Sequence, residues 1–352
     1  MSWTDNIRKI TPYVPGEQPK NPDVVKLNTN ENPYPPSPKV SKVLKSISQD
    51  YDVLRKYPDA DMSILVDALS RTYDLDPDCV FAGVGSDDVL AMSFLTFFNS
   101  DKPVLFPDVT YSFYPVWADL FGIKYKEIPV RDDFTIDPDA YLQPNGGIVI
   151  ANPNAPTSIY LGLDHIEKIV KNNPDSVVII DEAYIDFGGQ SALPLIHTYD
   201  NLLVVRTFSK SRSLAGARIG MAFGCSKLIS YLRDVKFSIN SYTMSHDVLR
   251  IGTASLEDEE YFNEITSRVI DTRNKAAVKL NELGFTCLPS ATNFLFVTHA
   301  SRNAKEIFTA LKEQNIYIRY FNLPRIDNYL RITVGTPEEM EKLYDALKTI
   351  LN

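Results

Sequence analysis

From about residue 60 onwards, short apolar runs alternate with stretches of helical spacing. The segment MSILVDALSRTY (62–73) carries its apolar residues at helical intervals, and CVFAGVG (79–85) is a short apolar run that closes on glycines. SDDVLAMSFLTFF (86–98) reads as a helix that Ser86 caps. PVLFP (103–107) reads as a strand and YPVWADLFG (114–122) as a helix. GGIVIANPN (146–154) is a buried-strand run ending in turn residues, and LDHIEKIVKNN (163–173) is helical. SVVIIDEAY (176–184), NLLVVRTFS (201–209) and RIGMAFG (218–224) are three further apolar strands. Short strands that are apolar throughout, separated by helices, predict an α/β fold with a mostly parallel sheet covered by helices on both faces.

The pattern changes after about residue 226. A long acidic helical region near 257–283 precedes TNFLFVTH (292–299), then the helix AKEIFTALKEQN (304–315), the strands IYIRY (316–320) and YLRITVG (329–335), and a last helix from Pro337. This predicts a smaller α+β domain. The first forty residues are rich in proline, which fixes φ and removes backbone donors, so they read as an extended arm. Interleaved Tyr13, Tyr34 and asparagines favour a docked arm over a loose tail. The expected division is 1–45 for the arm and part of the small domain, 46–245 for the large domain and 246–352 for the small one.

Composition narrows the function. A chain of 352 residues exceeds the size at which one core keeps growing, and a net charge of −9 argues against nonspecific nucleic-acid binding. Three scattered cysteines (79, 225 and 287) and four scattered histidines show no metal-ligand spacing and fit a reduced, cytoplasmic protein. The opening MSWTDNIRKI has no apolar core of a signal peptide, and no run is long enough for a membrane span.

In open α/β sheets, ligands bind beyond the carboxyl ends of the strands. Five predicted strand ends carry polar or aromatic groups: Ser86 and Asp87; Tyr111; Asn154; Asp181 and Tyr184; Thr207, Ser209, Lys210 and Arg218. Asp181 ends an apolar run and needs a partner, which could be a cationic ring nitrogen, a helix cap or a salt bridge. Tyr111 could stack on a planar ring or pack in the core. Ser86 opens a helix whose free N–H groups suit an anion, although Asp87 and Asp88 oppose one and plain capping is the alternative. Thr207, Ser209 and Arg218 could donate to a phosphate. Lys210, among hydroxyls and cations, could lose its proton and attack a carbonyl. Together these groups fit pyridoxal 5′-phosphate (PLP).

SKSRSLAGARIG (209–220) resembles the SK-x(4)-AG-x-R-x-G Schiff-base motif of fold-type-I PLP aminotransferases, and DEAYIDF (181–187) resembles their Asp and Tyr segment. LNTNENPYPPSP (27–38), KYPD (56–59) and YLRITVG narrow the resemblance to the histidinol-phosphate aminotransferase family. It covers nearly the whole chain. It implies transamination between L-histidinol phosphate and 2-oxoglutarate in histidine biosynthesis, giving imidazole acetol phosphate and L-glutamate.

The same resemblance implies roles. Lys210 would bind PLP covalently and move protons, Asp181 would pair with the ring nitrogen, and Tyr184 would meet the phenolic oxygen. Tyr111 would stack on the ring, while Ser86, the Asp87 backbone, Thr207, Ser209 and Arg218 would hold the phosphate. Arg319 and Arg331 would clamp the substrate phosphate, and Tyr13 and Asn30 would touch substrate. Tyr57 would reach the neighbouring subunit's site in a homodimer. The sequence departs from the family pattern at Ala155, where an asparagine is usual; either Asn154 would supply the amide from one residue earlier, or Tyr184 would act alone. Pro35, where glycine is common, would stiffen the arm. An aromatic-amino-acid aminotransferase or a phosphothreonine decarboxylase on this fold remains an alternative. A PLP-dependent transcription factor would need a DNA-binding segment that the chain has no room for, and no GxGxxG follows the first strand for a Rossmann oxidoreductase.

Overall fold

The computed structural model describes residues 2–21, 23–49 and 51–352. The chain enters through an irregular arm with a short strand, β1 (Val25–Lys26), followed by α1 (Pro38–Ile47). Ser37 caps α1 by accepting from the Lys39 N–H at 3.0 Å, and Pro38 takes the first helical position, where no amide hydrogen is needed. The prolines of this stretch suggest only an extended arm, so the helix is a difference from the sequence pattern.

Next in the chain come α2 (Ser63–Tyr73), β2 (Val80–Gly83), α3 (Gly85–Phe97), β3 (Val104–Pro107), α4 (Phe113–Phe121), β4 (Tyr125–Ile128), β5 (Gly147–Ala151), α5 (Leu163–Lys171), β6 (Val178–Asp181), β7 (Leu202–Thr207) and β8 (Gly220–Phe223). Strands β2 to β8 form one seven-stranded sheet in the order β2-β8-β7-β6-β5-β3-β4. Strand β8 runs antiparallel to both its neighbours, and the remaining pairs are parallel. The mostly parallel sheet expected from the sequence is present.

The continuous apolar strands have a direct cause. Ile148, Ile150, Val178, Ile180, Leu202 and Val204 face one core cluster, while Val149, Ile179, Leu203 and Val205 face another on the opposite side. Both sides of these strands are dry, so no position alternates to polar. Strand β4 (YKEI) is the exception: three of its four residues are exposed at the sheet edge, and its polar sequence carries no strand signal.

The rest of the chain forms α6 (Ser226–Ile239), α7 (His246–Leu256), α8 (Glu259–Glu282), β9 (Phe285–Cys287), β10 (Phe294–His299), α9 (Ala304–Glu313), β11 (Ile316–Tyr317), β12 (Arg319–Tyr320), β13 (Leu330–Thr333) and α10 (Pro337–Leu351). A four-stranded antiparallel sheet has the order β12-β13-β10-β9. Strand β1 of the arm pairs in parallel with β11, and the Thr333 N–H donates to the Leu27 carbonyl at 3.0 Å. The arm is therefore sewn to the C-terminal sheet by backbone bonds. It is pinned further out by Arg8 to the Leu120 carbonyl at 2.7 Å and by a Glu17–Lys312 ion pair at 2.7 Å.

Candidate active site

A cavity of about 480 Å³ lies beyond the carboxyl ends of β5, β6 and β7, roofed by the arm and by β12 and β13. Thirteen of the fifteen candidate residues line it: Tyr13, Asn30, Ser86, Asp87, Tyr111, Asp181, Tyr184, Thr207, Ser209, Lys210, Arg218, Arg319 and Arg331.

Asp181 is the last residue of β6, a strand paired on both sides, so its carboxylate has little water around it. It accepts from the Tyr114 hydroxyl at 3.0 Å and the Ala183 N–H at 3.2 Å. Burial outweighs these two bonds and pushes its pKa up to about 7. No cation among the described residues pairs with it, so a protonated ring nitrogen would supply the missing charge. Lys210 comes just after β7, on the loop that returns as β8. Its ammonium reaches the Thr29 carbonyl at 3.3 Å and lies 5.7 Å from the centre of the Tyr184 ring.

At the other side of this inner end, hydroxyls and a guanidinium converge. The Ser209 N–H donates to Thr207 Oγ1 at 3.1 Å, and Arg218 Nη1 lies 3.4 Å from Ser209 Oγ. Asp87 holds Arg218 Nη2 at 3.2 Å and accepts from the Tyr111 hydroxyl at 2.8 Å. Burial first, and the Asp87 charge second, push the Tyr111 hydroxyl well above its usual pKa, so it stays a neutral ring. The space is guarded by two glycines. A Cβ at Gly220 would lie 2.2 Å from the Gly85 carbonyl carbon, and one at Gly85 would lie 2.5 Å from Arg218 Nη2. Gly85 also has φ +84, a conformation side chains rarely adopt. The approach of backbone amides, hydroxyls and one guanidinium to a common point is what a phosphate needs.

Ser86 lines this end but does not cap α3 as its sequence suggested. The positive φ of Gly85 lets the helix begin two residues earlier, with Val84 as cap residue, and Asp88 takes the capping role by accepting the Val84 N–H at 2.9 Å.

The outer end is different in kind. Arg331, on β13, donates from Nη2 to the Asn28 carbonyl at 2.9 Å, while its buried Nε has no partner among the described residues. Burial lowers its pKa from the ordinary arginine value. Arg319 on β12 makes one long contact to the Val14 carbonyl at 3.5 Å. Tyr13 stacks on Phe113 at 4.1 Å, and Phe113 stacks on Trp117 at 4.9 Å.

Two expected residues stand outside the cavity. Asn154 was to offer its amide, but that amide donates to the Val109 carbonyl at 2.8 Å and Thr157 Oγ1 at 2.9 Å, and its oxygen accepts from Thr110 at 2.8 Å. The turn after β5 uses every polar atom of this side chain, and only Ala155 and Pro156 from that turn reach the cavity. Tyr57 is on the surface, 79% exposed and stacked on Tyr242 at 4.6 Å. Sequence reasoning missed Tyr114, the donor to Asp181, and Phe113. Tyr114 opens a stretch with the apolar spacing of a core helix and Phe113 directly precedes it, so both read as core.

Comparison with known proteins agrees with this geometry. The family profile for aminotransferase class I and II matches residues 22–347. A histidinol-phosphate aminotransferase of Lactococcus lactis subsp. cremoris is 52% identical over 351 residues, covering 100% of this chain and 98% of that one. The Acinetobacter baylyi enzyme of the same name is also 52% identical, covering 99% and 97%. Among solved structures, histidinol-phosphate aminotransferase from Sinorhizobium meliloti, in complex with pyridoxal-5′-phosphate, superposes with a TM-score of 0.85 at 24% identity over 93% of this chain and 91% of that one. L-threonine-O-3-phosphate decarboxylase from Porphyromonas gingivalis superposes at 0.78 with 20% identity, over 93% and 99%. The shared fold thus spans two reactions, and it is sequence identity that separates them. The chain belongs to the aminotransferase class I and II family and, within it, to the histidinol-phosphate aminotransferases.

Proposed function

We propose that this chain transfers an amino group between L-histidinol phosphate and 2-oxoglutarate, in two half-reactions that share one site, with PLP as cofactor. The observation that carries the reading is the common cavity of Lys210 and Asp181: a primary amine in the same lining as a buried carboxylate that lacks a cation among the described residues. When bound, PLP supplies the electron sink for the bond broken at the substrate's α-carbon.

The chain's own residues do the rest. Lys210 holds the cofactor and then takes and returns the proton at the α-carbon. Asp181, held by Tyr114, keeps a proton on the ring nitrogen by offering it a negative charge. Tyr184 would donate a hydrogen bond to the phenolic oxygen, and Tyr111 would cover the ring face. Thr207, Ser209, Arg218, Ser86 and the Asp87 backbone hold the phosphate. Arg331 and Arg319 receive the substrate's phosphate and, in the second half-reaction, a carboxylate of the keto acid.

The experiment is a colour cycle. The purified protein should be yellow, bleach on addition of histidinol phosphate and regain its colour with 2-oxoglutarate. A colourless protein that gains no visible band with added PLP would overturn the reading.

Tyr13 and Phe113, stacked on each other in the cavity lining with the buried Trp117 behind Phe113, favour a second substrate class, aromatic amino acids. A larger kcat/KM for phenylalanine than for histidinol phosphate would make that the primary activity. The proposed assembly is a homodimer in which the exposed Tyr57 and Tyr242 face the partner's site. The proposed organisation is an arm (1–45), a large PLP-binding domain (46–245) and a small domain (246–352). No helix among the described residues is long and apolar enough to cross a membrane, and a cytoplasmic location is proposed with the three cysteines free.

A further inference from the structure

Asn30 was expected to touch substrate, yet each of its four polar atoms already has a partner on the protein. It is buried, with φ 56, a left-handed conformation that asparagine tolerates better than most residues. Its N–H donates to Thr333 Oγ1 at 3.0 Å, and its carbonyl accepts from Asn293 Nδ2 at 3.0 Å. The Thr333 hydroxyl in turn donates to Asn30 Oδ1 at 3.0 Å. That bond fixes which way the amide faces. Oδ1 is turned to the Thr333 proton, so Nδ2 is left to point at the Tyr184 hydroxyl, to which it donates at 2.8 Å.

The consequence concerns one proton. A phenol hydroxyl has a single hydrogen and accepts through its lone pairs. With the Asn30 amide donating to Tyr184 Oη, the Tyr184 hydrogen must leave in another direction. It has no acceptor among the described residues, and Tyr184 lines the cavity together with Lys210 and Asp181. Accepting one hydrogen bond also makes a hydroxyl a better donor of the next.

We infer that Asn30 is a positioning residue: the chain Thr333–Asn30–Tyr184 aims the tyrosine's proton into the cavity, at the cofactor's phenolic oxygen. This rests on the cofactor reading given above. It assigns the arm a task at the inner end of the site, through a contact that spans 154 residues of sequence.

The bound cofactor's colour change with pH tests it. Losing a donor aimed at the phenolic oxygen leaves more negative charge there. The coloured form then holds its proton more tightly, and the midpoint rises. Asn30→Gly suits φ 56 and removes the amide. It should raise the midpoint by about half a pH unit or more, roughly a threefold change in proton affinity, and this shift should vanish in a Tyr184→Phe background. Thr333→Val frees the amide to turn and should move the midpoint the same way, whereas Thr333→Ser should restore it. A merely structural role would lower the melting temperature and leave the midpoint in place. An unmoved midpoint in both Asn30→Gly and Thr333→Val, or a shift that persists in full without the Tyr184 hydroxyl, would overturn the inference. A wild-type protein without any visible band would instead overturn the cofactor reading, so the two failures are distinct.

Discussion

The inner and outer ends of the cavity are built on opposite principles. The inner end stands on β5, β6 and β7, strands that are paired on both sides and buried on both faces. Its hydroxyls, Asp87 and Arg218 already bond one another. The outer end is made by an arm with little regular structure and by two strands of a separate sheet. Its cations are under-used: Arg331 Nε has no partner among the described residues, and Arg319 makes a single long hydrogen bond there. A set of groups locked together before the ligand arrives suits a resident that never leaves. Cations held in reserve suit ligands that alternate, one a phosphate and the other a carboxylate.

Substitutions at the two ends should separate them. The largest effect belongs to the inner end: Lys210→Ala should lower kcat by at least about 10⁴-fold, since it removes both the attachment and the proton carrier. Equilibrium dialysis should still find PLP bound, because the phosphate cradle is untouched. Normal turnover in this variant would dissolve the distinction.

Next comes Asp181, read through stability. In the cofactor-free chain its carboxyl titrates near pH 7 against an unfolded value of 3.8. The folded chain therefore binds more protons than the unfolded one between those values. The resulting stabilisation is complete below about pH 4 and is lost as pH rises to about 7, on the order of 4 kcal/mol. Melting curves across this range should show the loss in the cofactor-free protein, and it should be absent from Asp181→Asn. PLP should abolish it by supplying the cation. Parallel curves with and without cofactor would show that no cationic nitrogen meets this group.

The outer end should give smaller, substrate-selective effects. Arg331→Ala should raise KM for the phosphorylated substrate by roughly 10–150-fold, the loss of one charged contact worth about 1.5–3 kcal/mol, without changing PLP affinity. A matching loss of PLP affinity would show that the two ends are one unit. Phe113→Ala removes the face on which Tyr13 stacks, worth about 0.5–1.5 kcal/mol. Its KM should rise by about 2–12-fold for ring-bearing substrates and stay constant for 2-oxoglutarate.

The contrast also explains what could be read in advance. Strands dry on both faces announce themselves, and the residues immediately after their carboxyl ends lie at the site, so Asp181, Thr207, Ser209 and Lys210 were legible. Apolar content carries no direction, so the reversal of β8 was not. Strand β4 was hidden by its exposed polar residues, and α6 by the exposed Tyr231, Phe237 and Ile239 that blur its apolar stripe. Asn154 misled because a turn can consume a side chain whose neighbours in sequence suggest a ligand. Tyr114 was overlooked because a phenol ring reads as core until its hydroxyl is seen to need an acceptor.

The stitching of the arm to the far end of the chain has a bearing on synthesis. Every bond that places Asn30 beside Thr333 joins residues 303 positions apart, whereas the turn carrying Lys210 closes on itself when Phe208 donates to the carbonyl of Ile219. A ribosome finishes the second long before the first becomes available, and distant closures are the slow ones. The nascent protein can thus form the loop that carries its reactive lysine early, while the mouth that selects a substrate waits for the last strand to emerge.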